Sequence, residues 1–118
     1  MSDVRITVLK RTAHVDLVEE YMGDEVKAAR LANPACGMFH DGQEFIVSSL
    51  ADCPEGFCVW AWSDMHKEIL TLACGGDMRP WIKYPGTAIA CCTDALRPVI
   101  FRLERVEEGD RPREDANG

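Results

Sequence analysis

Six cysteines and a histidine near one of them are the residues of this 118-residue sequence that could bind a metal. Cys36 and His40 are four residues apart in a predicted loop, Cys58 opens the main predicted helix, and Cys92 ends a predicted strand. Thiolate and imidazole suit zinc, iron or copper(I). If these three segments converge, Cys36, His40, Cys58 and Cys92 are the candidate metal ligands. Free cysteine is often a simple packing residue, so a packing role for the same sulfurs is the alternative.

Two further cysteine patterns bear on thiol chemistry. Cys58 lies at a predicted helix N-terminus, where amide dipoles favour the thiolate, so it is a candidate catalytic nucleophile. Cys91 and Cys92 are adjacent in a predicted strand, and successive side chains of a strand point to opposite faces. We therefore expect one of them in the core and the other free for a site. The sequence has no C-x-x-C pair, which argues against thioredoxin, rubredoxin and zinc-ribbon sites.

The three tryptophans indicate a pocket for a planar or apolar ligand, because large aromatics at loop ends can wall such a cavity. Trp62 lies on the apolar stripe of the main predicted helix and is best explained as a core residue. Trp60 falls toward the polar face of the same helix, and Trp81 lies in a loop. These two are the candidate ligand-binding residues, although an exposed Trp60 could also mark an oligomer contact.

Acid–base chemistry is the third possibility that the residue types offer. His66 lies near Asp64 on the main helix, but residues two apart on a helix do not face each other, so they form no ready dyad. Asp94 and Arg97 surround a predicted hairpin turn, where simple turn roles would also explain them. Cys58, His66, Asp94 and Arg97 are the candidate catalytic residues, and Arg97 could also bind a substrate carboxylate through its planar fork.

The elements that must position these residues follow from periodicity. Alternating apolar residues predict strands at 4–9, 44–49, 87–92 and 99–106, with the last two as a hairpin. Apolar residues at three- and four-residue spacing predict helices at 16–22, 24–32 and 57–74, with Asp16 capping the first. The predicted fold class is α+β: an antiparallel-rich sheet of about four strands backed by the 57–74 helix and a shorter N-terminal helical region. Either sheet face could receive the main helix.

Composition narrows the classes of protein. A hydrophobic content of 47% is typical of a globular chain, and we expect one domain over 1–106. The segment 107–118 is acidic and holds no Leu, Ile, Val or aromatic residue, so we expect it to be disordered. A net charge of −7 argues against nucleic acid as a partner. The absence of a long apolar run and of a secretion signal predicts no membrane association and a cytoplasmic location.

A resemblance covers about residues 4–106. The segments VRITVLKRT, DGQEFIV, CPEGFCVWAW, CGGDMRPW, IACCTD and RPVIFRLERV, in this order, resemble a bacterial and archaeal family described only as an uncharacterised repeat protein family. The resemblance implies a small α+β unit whose recurring cysteines fall on Cys36, Cys58 and Cys92. Many members have Cys-Pro-Asp where this chain has Cys92-Thr93-Asp94. Some members carry two tandem copies; because this chain carries one, we expect a homo-oligomer, specifically a two-fold dimer.

Two functions from different classes fit these residues. The first is a binding module that holds a small molecule or a metal ion between the sheet, the start of the 57–74 helix and the 91–97 hairpin. Cys36, Cys58 and Cys92 would line this cleft, with Trp60 or Trp81 closing it. The second is a small cofactor-free enzyme of the lyase or isomerase type that uses the same cleft on a small organic substrate. The sequence identifies no cofactor, since it contains no recognisable cofactor-binding motif.

Overall fold

A four-stranded sheet and three helices build the fold, which is known from a computed structural model describing residues 1–106. The predicted tail, 107–118, lies outside the described residues. Both helix and strand occur at the predicted places, which confirms the α+β class. In chain order the elements are β1 (Asp3–Arg11), α1 (Val15–Tyr21), α2 (Asp24–Ala32), β2 (Glu44–Val47), α3 (Val59–Ala73), β3 (Thr87–Cys91) and β4 (Val99–Val106).

The sheet is antiparallel throughout, with the strand order β2-β1-β4-β3. The predicted hairpin forms between β3 and β4, where Ala88 lies opposite Leu103. The first and last strands of the chain pair at the centre, with Ile6 opposite Leu103. These two central strands carry the most regular apolar alternation in the sequence, which fits their burial on the side that faces the core.

A β-bulge interrupts β1. Its pairing with β4 shifts between Val8 and Lys10, and the strand then continues to Arg11, which lies opposite Val99. A bulge inserts one extra residue into one strand and changes the direction in which the following side chains point. The predicted strand stops at residue 9 because the alternation of apolar and polar residues fails at the bulge.

The core lies between one face of the sheet and α3. Every third or fourth residue of α3 is fully buried, and so is every second residue of the central strands. Burying a side chain of this kind contributes about 1.5–3 kcal/mol. The strand and helix residues with no exposed surface are Val4, Ile6, Phe101, Leu103, Ala61, Met65, Ile69 and Leu72. Of the two sheet faces that the sequence left open, α3 therefore covers the one that carries Ile6 and Phe101.

The helical region before β2 consists of two short helices, α1 and α2, that contact each other. In the described part of the chain α1 contacts α2, whereas the helix that contacts the strands is α3. The predicted N-cap, Asp16, is wrong by two residues, because α1 starts at Val15 with His14 as its N-cap. The backbone N–H of His14 donates to Leu96 O at 2.8 Å. This tie to the β3–β4 connection fixes where the helix begins.

Two glycines and an arginine end α3. Gly75 has a positive φ of 91°, which glycine adopts without strain, and the Gly76 N–H donates to Thr71 O at 2.7 Å. Arg105 Nη1 donates to Leu72 O at 3.0 Å and to Gly76 O at 2.7 Å. The strand β4 thus caps the free carbonyls at the end of the helix.

Gly76→Ala is expected to lower the free energy of unfolding by about 1–3 kcal/mol, as overpacking does. A Cβ at Gly76 would lie 2.8 Å from the backbone oxygen of Thr71, which cannot move without opening the helix end. Gly23→Ala is the matched control, since a Cβ there meets no atom within 4 Å. Urea unfolding of both variants checks this prediction. If the two variants were equally stable, the end of α3 would accommodate the added methyl group without cost.

No helix among residues 1–106 combines the length and the apolar character that crossing a bilayer requires.

Candidate functional site

A pocket of about 360 Å³ lies where three segments meet: the start of α3, the loop that follows α2, and the connection between β3 and β4. Six of its lining residues were singled out in the sequence as candidates for metal, ligand or catalytic roles. The lining consists of Cys36, Phe39, Cys58, Trp60, Cys92, Thr93, Asp94, Arg97 and Val99. The fold therefore brings together residues that lie up to 63 positions apart in the chain.

Arg97 joins two of these segments. Its Nε donates to Pro34 O at 2.8 Å and its Nη2 donates to Ala35 O at 2.9 Å. The side chain is only 9% exposed, and none of the ion pairs in the described chain involves it. A guanidinium carries five N–H donors, so the two carbonyls use part of its capacity. Arg97 is thus a buried cation at the pocket wall that forms no ion pair with a carboxylate among residues 1–106.

Asp94 shapes the turn that carries Arg97. Its Oδ1 accepts hydrogen bonds from the backbone N–H of Leu96 at 2.9 Å and of Arg97 at 3.0 Å. This is an Asx-type turn, in which the aspartate side chain replaces a backbone acceptor. The turn role that the sequence offered for Asp94 is therefore present, and it orients the backbone from which Arg97 reaches the opposite loop.

Arg11, which sequence analysis did not single out, supports the floor of the pocket. Its Nη1 donates to Cys36 O at 3.1 Å and to Phe39 O at 2.9 Å, and its Nε donates to Asp41 Oδ1 at 3.0 Å. The loop 36–41 is therefore held from below by one side chain of β1. Only the bulge brings Arg11 to this side of the sheet, and the residue pattern gives no separate signal for it.

Four phenylalanines form the apolar base beneath this loop. Phe57 lies 4.9 Å from Phe45, 5.1 Å from Phe39 and 5.5 Å from Phe101, measured between ring centroids. Aromatic pairs at such separations contribute about 0.5–1.5 kcal/mol beyond the burial of their area. Phe39 belongs both to this cluster and to the pocket lining, so the cluster supports the pocket from the core side.

The cysteines divide between the pocket and its surroundings. Cys36, Cys58 and Cys92 line the pocket, and Cys92 Sγ accepts a hydrogen bond from Val99 N at 3.3 Å. Cys92 is the member of the adjacent pair that reaches the site, but the expectation that the other one lies in the core is wrong, because Cys91, at the end of β3, is exposed. All six cysteines are free thiols.

Two thiols near the pocket are harder to ionise than usual. Burial, followed by the nearby Cys58, raises the pKa of the Cys53 thiol above its ordinary value. Desolvation, followed by the neighbouring Cys92, raises the pKa of the Cys91 thiol, although the residue as a whole is exposed. Both groups are therefore neutral thiols at physiological pH, and neither has the lowered pKa that marks a reactive cysteine.

Three predicted site residues are not part of the pocket lining. Trp81 is 90% exposed in its loop, and His40 is exposed on the 36–41 loop. His66 Nε2 lies 2.7 Å from Leu50 O, and its ring packs edge-on against Trp62 at 5.2 Å. Since a carbonyl can only accept, Nε2 carries a proton and holds the 49–52 turn against α3. Trp62 itself is half-buried against the core.

Within residues 1–106, no group of three or more His, Cys, Asp or Glu side chains is arranged to hold a metal ion. The predicted ligand set is divided, since Cys36, Cys58 and Cys92 line the pocket and His40 does not.

Comparison with known proteins adds nothing to this geometry: no protein-family model, no curated protein and no solved structure matches the chain. The resemblance to the repeat protein family stays a prediction, and the function must be argued from the site.

Proposed function

We propose that this chain is a binding module for a small organic ligand that has an apolar body and a carboxylate group. The observation that carries the proposal is Arg97, a buried guanidinium that lies at the wall of a mainly apolar pocket and has no carboxylate partner in the described part of the chain. Burying a charge is costly unless it is paired, and a ligand carboxylate would complete the pairing. Arginine binds carboxylates in two places and strongly.

The rest of the lining suits an apolar body. Phe39 and Val99 are buried, and the three half-buried cysteines add soft apolar surface. Trp60 is exposed at the rim, where its ring could cover a bound ligand. A volume of about 360 Å³ falls within the range of about 300–1,000 Å³ that is typical of small-molecule sites.

The start of α3 favours the same charge. The Trp62 N–H is the first to bond within the helix, to Cys58 O at 2.9 Å, so the amides before it have no intrahelical acceptor. No acidic residue occupies the first turn of α3, and Cys58 makes no side-chain cap. The positive end of the helix dipole therefore lies at the pocket together with Arg97.

The enzyme alternative has less support from the geometry. His66, the predicted proton-transfer residue, bonds to Leu50 O outside the lining, and Asp94 Oδ1 already accepts two backbone hydrogen bonds. Cys58 is the one candidate nucleophile that does lie in the pocket.

Fluorescence of Trp60 tests the binding module directly. In a Trp62→Phe/Trp81→Phe chain, Trp60 is the only tryptophan and lies at the pocket rim. Aromatic and branched aliphatic carboxylates should quench or shift its emission saturably, and the corresponding primary amides should bind about 10–100-fold more weakly. This ratio follows from a charge-assisted hydrogen bond worth about 1.5–3 kcal/mol.

Two other outcomes of the titration would contradict parts of the proposal. Equal affinity for acids and amides would show that Arg97 does not select the ligand. No saturable binding by any member of either series would overturn the binding module itself.

A further inference from the structure

Among residues 1–106 no helix covers the sheet face opposite α3, and the loop residues Tyr84 and Pro85 border its β3 edge. In the described chain α3 is the helix that contacts the strands, and it lies on the other face. Strand register places two rows of four side chains across the uncovered face. The first row runs Ile46, Arg5, Glu104, Thr87, and the second runs Glu44, Thr7, Arg102, Ile89. We call these eight residues the open face.

Charge at the centre of the open face is unbalanced. Glu104 Oε1 accepts from Arg5 Nε at 3.3 Å and from Arg5 Nη2 at 3.2 Å, and Arg102 Nε lies 3.1 Å from the same oxygen. One carboxylate oxygen thus accepts hydrogen bonds from Arg5 and forms an ion pair with Arg102, whose Nε makes no hydrogen bond. Arg5 is only 3% exposed, and its Nη1 has no hydrogen-bond partner. A buried donor without an acceptor costs about 1–3 kcal/mol, which a further carboxylate would relieve.

The corners of the open face are apolar. Ile46 on the β2 edge and Ile89 on the β3 edge are each 46% exposed, and they lie at diagonally opposite corners of the two rows. An antiparallel sheet can leave one face to solvent, but its arginines then extend their charged ends into water. Arg5 does not, since its guanidinium is buried on a face that no described helix covers.

We propose that a second copy of this chain covers the open face in a two-fold dimer. A two-fold axis that runs along the strands between β1 and β4 sets Arg5 against the second copy's Glu104. An axis across the strands, between the two rows, would set Arg5 against the second copy's Thr7 and bring it no carboxylate, so the arrangement along the strands is the one proposed. This arrangement places no like charges opposite each other, and it sets Ile46 and Ile89 against the second copy's Thr87 and Glu44. The face is therefore self-complementary, as a two-fold interface requires.

The oligomeric state tests the proposal. Light scattering and sedimentation at micromolar concentration should give twice the 13.2 kDa mass of one chain. Ile46→Lys/Ile89→Lys should give monomers, because it places four lysines in the interface of each dimer. Leu70→Lys on α3 and Val26→Lys on α2 are the matched controls, at 44% and 47% exposure, and should remain dimeric.

Three results would overturn the proposal: a monomeric parent chain, a double lysine variant that stays dimeric, or a dimer lost in either control. Far-UV circular dichroism establishes that each variant is folded. If the lysine pair lowers the folded fraction, Ile46→Gln/Ile89→Gln replaces it, with the same expected loss of the dimer.

Discussion

Arg97→Met is expected to lower the free energy of unfolding by about 2–4 kcal/mol and to abolish selection of carboxylates over amides. Methionine keeps much of the length of the side chain but removes the hydrogen bonds to Pro34 O and Ala35 O. A hydrogen bond to a charged group contributes about 1.5–3 kcal/mol, and a carbonyl left without its donor adds a penalty. Urea unfolding and the Trp60 titration measure the two effects separately.

Two further variants sharpen this result. Arg97→Lys keeps the charge but lacks the planar fork, so we expect partial recovery of carboxylate binding without recovery of stability. Arg79→Met removes an exposed arginine that pairs with Asp77 at 2.9 Å, and it should cost less than about 1 kcal/mol. If Arg97→Met lowered the free energy of unfolding no more than Arg79→Met does, the hydrogen bonds from Arg97 to Pro34 O and Ala35 O would contribute nothing to stability.

Phe101→Ala is expected to cost about 3–5 kcal/mol, the range for removing a fully buried phenylalanine. Phe101 has no exposed surface and lies 5.3 Å from Phe39 and 5.5 Å from Phe57, between ring centroids. Its loss removes the support under Phe39, which belongs to the pocket lining. Ligand affinity should therefore fall together with stability, as denaturant titration and the Trp60 signal would show.

Phe45→Ala is the internal comparison for this cluster. Phe45 is half-buried and contacts Phe39 and Phe57 at 5.9 Å and 4.9 Å, but it does not line the pocket. We expect a smaller loss of stability and little change in ligand affinity. If Phe45→Ala weakened binding as much as Phe101→Ala, the pocket would depend on the cluster as a whole rather than on the floor beneath Phe39.

The fold was readable from the sequence wherever one face of an element is buried. The alternation in β4 and the three- and four-residue spacing in α3 record which side chains meet the core, so both elements were predicted at nearly their observed bounds. The first helix was placed within one residue of its observed bounds, but its N-cap was wrong, because its start depends on a hydrogen bond from His14 to the distant Leu96. The local sequence carries no information about such a distant partner.

The candidate site was likewise predictable where local sequence carries the signal and unpredictable where a distant partner decides. Cys36, Cys58 and Cys92 were grouped from their places in predicted elements, and they do line one pocket. The hydrogen bonds that the buried Arg97 side chain donates could not be predicted, because their acceptors are carbonyls 62 and 63 positions away. Any residue can offer a carbonyl, so composition carries no signal for such a contact. Likewise, nothing in the spacing of His66 indicates its bond to Leu50 O.

The bulge in β1 makes the pocket sensitive to the number of residues in that strand as well as to their types. In a strand, parity decides which side of the sheet each residue faces. Thr7 faces the side away from α3, and the extra residue between Val8 and Lys10 puts Arg11, four positions later, on the side of the 36–41 loop. A one-residue deletion at the bulge would restore the original parity and turn the Arg11 guanidinium away from that loop, with every side chain of the site still present. The number of residues in β1, and not only their identity, therefore determines whether this site forms.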